Sequence, residues 1–367
     1  MEPNRRRSAF YQAGFTLVEI MVGLGIGMLA TVVIIQVISV FEAQRRTTAG
    51  TADAQTNGGI ALYVVGRDMQ MAGYPLLPVT NSPLECTTLT FGATGITGIS
   101  PITVTEGVAD MGVNASDTIT IRYGSSAMGG VPTQITAMGA PTASDATVAT
   151  NLGCQAGDIT LITNGSTCAM STATAVAGTT TVTLADTTAA VAGANLACLG
   201  TWNSITYRVN NGNLERNGVP SVVGVVNLQV QYGISASGLA NSDPNFNQVT
   251  RWVNAKNLAD WSATPDGVST GADWGSALTV ANRNRIKAVR IAVVARNAKI
   301  EPSNVTAACS STTAAAPAGL CAWAGSAASP APAIDLSPAD ANWARYRYRV
   351  FETIIPLRNV IWSKDTL

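Results

Sequence analysis

Apolar residues run almost without interruption from Phe15 to Phe41, and one carboxylate, Glu19, stands near the start of that run. The stretch exceeds the roughly 20 apolar residues that cross a bilayer as a helix. It is also longer than the roughly 7 to 15 apolar residues of a secretory signal, whose cleavage site follows the apolar core. Here the small residue Gly14 precedes it. A carboxylate at membrane depth is costly unless paired, so Glu19 is a functional candidate by its position alone. Nothing in the helix neutralises it, since Arg45 lies about seven turns away.

Past Phe41 the pattern turns amphipathic. Glu42 precedes Arg45 and Arg46 at the spacing of ion pairs on one helix face. Ile60, Ala61, Val64, Val65, Met69 and Ala72 then recur at helical spacing as an apolar stripe. Tyr74-Pro75 ends the pattern, because proline disfavours helix at the residue before it. The chain thus predicts an apolar helical segment over 15–41 and an amphipathic continuation over 42–75. Gly23, Gly25 and Gly27 allow either close helix packing or local unwinding, and Gly58-Gly59 marks a second soft point.

From residue 76 the period shortens to two. Ile119, Ile121 and Tyr123 alternate with polar residues, as do Val226, Leu228, Val230 and Tyr232 with Asn227, Gln229 and Gln231. Further strands are expected at Asp158–Ile162, Thr179–Leu184, Ile286–Arg296 and from Arg345 onward. Asn210-Asn211-Gly212-Asn213 separates two more and is a hairpin signal. The expected fold is α+β: one long helix on a mostly antiparallel β-rich head over 76–367, with two β subdomains meeting near residue 200.

Composition narrows the chemistry. Only 12% of residues are charged, and Lys plus Arg equals Asp plus Glu at 22 each, so no basic footprint for nucleic acid appears. Histidine is absent, which removes His-based triads and His-containing zinc sites. The six cysteines, Cys86, Cys154, Cys168, Cys198, Cys309 and Cys321, show no C-x-x-C spacing. Behind an export signal they favour disulfides, of many possible connectivities. Cys309 and Cys321 flank a loop rich in Ala, Ser, Thr and Pro and are the first pair to expect. Asp117, Asp158 and Asp186 are scattered over turns and strand ends and are expected to cap them. Arg345, Arg347 and Arg349 would share one strand face, open to solvent or to a subunit contact. Trp252, Trp261 and Trp274 fall in an insertion over 241–278 and are expected to pack it on the head. No metal, cofactor or catalytic constellation is indicated.

The leader with Arg5, Arg6 and Arg7, followed by Gly14-Phe15-Thr16-Leu17-Val18-Glu19, resembles the prepilin signal of the type IV pilin superfamily. The resemblance implies that residues 1–14 are a cytoplasmic leader. A prepilin peptidase would cut after Gly14 and methylate the amine of Phe15, and Glu19 would serve in subunit assembly. Arg67–Tyr74, the Val225–Tyr232 strand and the Arg345–Asn359 segment resemble the minor pilin family PilW. That family implies other minor pilins, the major pilin and an inner-membrane assembly platform as partners. It also implies a periplasmic head in the inner membrane, then a place at the pilus tip supporting adhesion, twitching motility or DNA uptake. A J-type pseudopilin of a type II secretion system, or an adhesin or DNA-binding head on a pilin helix, are the alternatives.

Overall fold

The computed structural model describes residues 14–76, 86–92, 94–96, 98–107, 115–139, 141–239, 243–255 and 285–361. The leader arginines, Trp261 and Trp274 lie outside them, as does most of the 241–278 insertion. Two compact units divide the chain, Met1–Gly50 and Thr51–Leu367. Helix α1, Leu17–Gln70, contains residues of both.

In the first unit α1 exposes apolar side chains all round, among them Leu17, Met21, Leu24, Leu29, Ile35 and Phe41. It includes an 18-residue window apolar enough to cross a membrane by length and composition. Its hydroxyls are absorbed by the helix: Thr31 Oγ1 donates to Gly27 O at 2.7 Å and Ser39 Oγ to Gln36 O at 2.8 Å. The Glu42–Arg46 pair forms at 3.6 Å.

The second unit is built from strands. The first nine are β1 (Thr88–Thr90), β2 (Ile102–Gly107), β3 (Ala115–Tyr123), β4 (Thr133–Met138), β5 (Asp145–Val148), β6 (Ile159–Asn164), β7 (Thr167–Ala177), β8 (Thr181–Leu184) and β9 (Asn195–Gly200). Then come β10 (Asn203–Asn210), β11 (Asn213–Arg216), β12 (Val219–Val223), β13 (Val225–Ile234), β14 (Arg251–Val253), β15 (Ile286–Ile300) and β16 (Tyr346–Pro356). A short helix α2, Arg358–Ile361, follows.

Three sheets result. One runs β12-β11-β10-β3-β2 and another β14-β13-β15-β16. The third, β1-β7-β6-β9-β4-β5-β8, is barrel-like, because β8 also pairs with β7 and closes the ring. Although β2 and β3 precede the barrel in sequence, they pair with β10, which follows it. The β10–β11 turn is the expected Asn-Gly hairpin, with φ of 48° at Asn211 and 71° at Gly212, as a primed two-residue turn needs.

The main core lies among the two open sheets and the second half of α1. Ala61, Val65, Met69 and Ala72 meet Ile119 and Ile121 of β3, Tyr207 of β10, Tyr232 of β13 and Ile291 of β15. Several expectations change here. Ile60 points outward and stays about half exposed at 47%, because the inner face of the helix is set by Ala61 and Val65. Gly58 is a contact point: a Cβ there would stand 2.1 Å from the Phe351 ring of β16, while Gly59 faces open space. The polar row of β13 is buried too, with Asn227, Gln229 and Gln231 covered. The residues after β15 lay Leu320, Trp323 and Leu336 over that face, forming a second apolar layer with Ala292 and Val294. Arg345 ends a 3-10 turn, Trp343–Arg345, so the last strand starts one residue later than expected.

Candidate functional site: the two ends of the long helix

At its start α1 caps itself. Thr16 stands just ahead of the helix, and its amide and its hydroxyl both donate to Glu19 Oε2 at 2.9 Å. The Glu19 amide returns a bond to Thr16 Oγ1 at 3.3 Å. This is a capping box, in which two otherwise unsatisfied amides are met reciprocally, and the carboxylate lies at the positive end of the helix dipole. The pattern Thr-x-x-Glu was present in the sequence and is the signal that reasoning from burial cost alone passes over. Phe15 is 84% exposed and Gly14 has open space around it. The structure brings Glu19 to Thr16, and it holds the carboxylate toward the residue that follows Phe15.

The other end is locked into the β-rich unit. Asp68, on the inner face and only 4% exposed, accepts a bond from the Tyr207 hydroxyl at 2.7 Å. Its Oδ2 also accepts Arg216 Nε at 2.9 Å, which in turn reaches the Tyr207 oxygen at 3.2 Å. Burial pushes the Tyr207 phenol up, and the bond and charge of Asp68 push it further. Burial pulls Arg216 down, but the bonds to Asp68 and Tyr207 outweigh it and leave the guanidinium raised. Asn359 Nδ2 donates to Gln70 O at 3.3 Å and Ala72 O at 3.1 Å, meeting carbonyls that the helix end leaves open. None of Asp68, Tyr207, Arg216 or Asn359 was singled out from the sequence. One hint existed: a carboxylate in the last turn opposes the helix dipole, so it needs a partner elsewhere.

The remaining candidates are structural. The structure pairs Cys86 with Cys168, Cys154 with Cys198 and Cys309 with Cys321. Asp117 ties two sheets together, accepting from the amides of Gly107 and Val230 at 3.3 and 2.7 Å. Asp158 accepts from the Gln155 amide and Asp186 from Thr188. The arginine row is not a free patch: Arg345 Nε donates to Glu301 O at 2.8 Å and Arg347 pairs with the Glu301 carboxylate at 3.0 Å. Trp252 stacks on Arg290, which lies between it and Trp323 with ring distances of 4.8 and 4.2 Å. Burial brings the Arg290 guanidinium down to about 9, while Glu352 works the other way, so it remains a cation at neutral pH. Among the described residues no group of three His, Cys, Asp or Glu could hold a metal ion.

Residues 197–359 match the family model described as Type IV Pilus-assembly protein W. Over that segment, a little under half of its length, the chain is similar to the PilW family. The matched segment runs from within β9 to α2, and so contains Tyr207, Arg216 and Asn359 of the lock. No curated protein and no solved structure matches the chain. The similarity points to a type IV pilus-related role, and the apolar start of α1 fits membrane association.

Proposed function

We propose that this chain is a minor pilin of the PilW family that is processed after Gly14 and joins other minor pilins to prime pilus assembly, ending at the pilus tip. The supporting observation is the fixed Glu19 carboxylate at the start of α1. Cleavage after Gly14 would create an amine on Phe15, the residue next to Thr16. A neighbouring subunit's Phe15 amine at the same depth would then meet a carboxylate already oriented toward the helix start. Such a pair offsets the cost of burying each charge and sets the axial register between subunits. The lock around Asp68 would carry that register into the head, because it ties the same helix to β10 and β11. The major pilin, the peptidase and the inner-membrane platform are the partners this role requires, with the head on the periplasmic side before assembly.

Glu19→Gln keeps an acceptor for Thr16 but removes the charge. Expressed in a piliated host, it should be processed normally and be absent from sheared pili. Normal incorporation would sink the role of the charge. Gly14→Val should leave the leader attached, seen as an unshifted band when the peptidase is present.

A further inference from the structure

Among the described residues the sheet edges are protected, except along β16. Strands β1 and β14 are three residues long. Strand β12 has five residues, carries Pro220 and shifts register against β11. Strand β2 has six, and it shifts register against β3 between Thr105 and Gly107. Short strands, prolines and bulges all keep an edge from pairing with another chain. Strand β16 has 11 residues and pairs only with β15, without a shift from Tyr348 to Pro356.

The register shows which of its backbone groups are open. The Leu357 amide donates to Lys287 O at 2.9 Å. The Arg296 amide, opposite Tyr348, turns away from β16 to Gly224 O at 2.8 Å. Bonding and non-bonding residues alternate along an antiparallel pair. Phe351, Thr353 and Ile355 therefore bond β15, while Tyr348, Val350, Glu352 and Ile354 point their amides and carbonyls away from the sheet. Among the described residues no hydrogen bond reaches those groups. The open row has two ends: Thr306 Oγ1 caps Tyr346 O at 2.6 Å, and Pro356 has no amide to offer.

The helix leaves room beside this row. Phe351 lies against Gly58, and Ile355 Cδ1 is 3.6 Å from where a Cβ on Gly66 would stand, so α1 runs along β16 in the same direction. Gly59 lies about two turns before Gly66 and so on the same side of the helix. A Cβ there would meet nothing. Glycine weakens a helix, and no described residue packs on Gly59 to account for it. Close approach by a backbone from outside the chain would. Alternation places Arg349 on the α1 side of β16, exposed and with no ionic partner among the described residues. The other side exposes Ile354 at 60%.

Amides and carbonyls that alternate about 7 Å apart along a strand match one kind of occupant, an extended backbone. Arg349 calls for a carboxylate on the α1 side of that backbone, and Ile354 for an apolar residue on the other. Strand β16 carries no acid on its own α1 side, so a second copy paired β16 to β16 would leave Arg349 unmatched. We infer that β16 accepts, beside α1, an extended strand of a partner subunit that turns a carboxylate toward α1 and apolar residues away from it. That the partner is a pilus subunit rests on the role proposed above, whereas the open edge does not.

The test uses the full chain in detergent and short labelled peptides that alternate valine with glutamate or valine with lysine, read by fluorescence anisotropy. The glutamate peptide should bind saturably and at least about threefold more tightly than the lysine peptide, a preference that Arg349→Gln should erase. Glu352→Pro removes an outward amide but no bond to β15, and should weaken binding at least about tenfold. Gly59→Leu fills the space beside α1 and should do the same, and it serves if the proline variant misfolds. No binding, equal binding of the two peptides, a preference that survives Arg349→Gln, or full binding by either folded variant would overturn the inference. So would a dimer of the chain that Glu352→Pro dissolves, which would give the edge to a second copy. Peptide binding is read without any pilus, so its failure leaves the Glu19 role untouched.

Discussion

Two carboxylates sit near opposite ends of one helix and solve opposite problems. Glu19 is exposed, and its bonds go to Thr16, three residues away. Asp68 is buried, and beside the adjacent Arg67 at 3.6 Å its hydrogen-bond partners Tyr207 and Arg216 are 139 and 148 residues away in sequence. The first arrangement depends only on local chain geometry, so it survives whatever surrounds the helix. The second exists only once β10 and β11 have folded against α1.

The largest effect should come from removing the distant arrangement. Asp68→Ala leaves the buried Tyr207 hydroxyl without its acceptor and Arg216 without its carboxylate, and should cost about 2 kcal/mol, read by urea unfolding of the full chain in detergent. A loss under about 1 kcal/mol would mean that the lock is incidental to stability.

Next come the adjacent glycines, which should move in opposite directions. Gly58→Ala drives a methyl into the Phe351 ring, so overpacking of about 1 to 3 kcal/mol outweighs the gain of about 1 kcal/mol in helix propensity. Gly59→Ala meets nothing and should keep that gain. Equal shifts in the two unfolding midpoints would contradict the close approach of α1 to β16.

The smallest effect belongs to the local cap. Thr16→Ala should cost about 1 kcal/mol at the helix start, seen as roughly fivefold faster amide exchange over Leu17–Ile20 with the Asp68 end unchanged. Exchange that changes equally at both ends would break the contrast between them.

Acid should separate a further pair in the head. Asn210 and then Arg208 bond Glu215 and hold its carboxyl below the usual value. A depressed carboxylate stabilises the fold above its unfolded pKa and loses that contribution as pH falls through the folded value. Glu215→Gln should therefore flatten the fall in stability below about pH 4.5, with little change near neutrality.

How much could be read in advance follows the range of each interaction. Helix α1, the Asn210–Asn213 hairpin and the strands around Ile121, Val230 and Ile291 were legible, since each rests on a short-period pattern or a turn with one chemical solution. The polar row of β13 was not, because alternation shows that two faces differ but not that residues after β15 return to cover the second. Likewise, Arg345, Arg347 and Arg349 read as a row open to solvent or to a subunit contact until Glu301 came alongside the first two.

For this protein, the sequence alone determined the apolar segment, the carboxylate within it and a β-rich remainder. Those depend on composition and on spacings of a few residues. Tertiary structure decided which carboxylate is locked, that Gly58 stands against the Phe351 ring, and that the stretch after Tyr123 closes into a barrel within one turn. Each of these depends on residues that meet only after the chain has doubled back, and no local pattern encodes that distance.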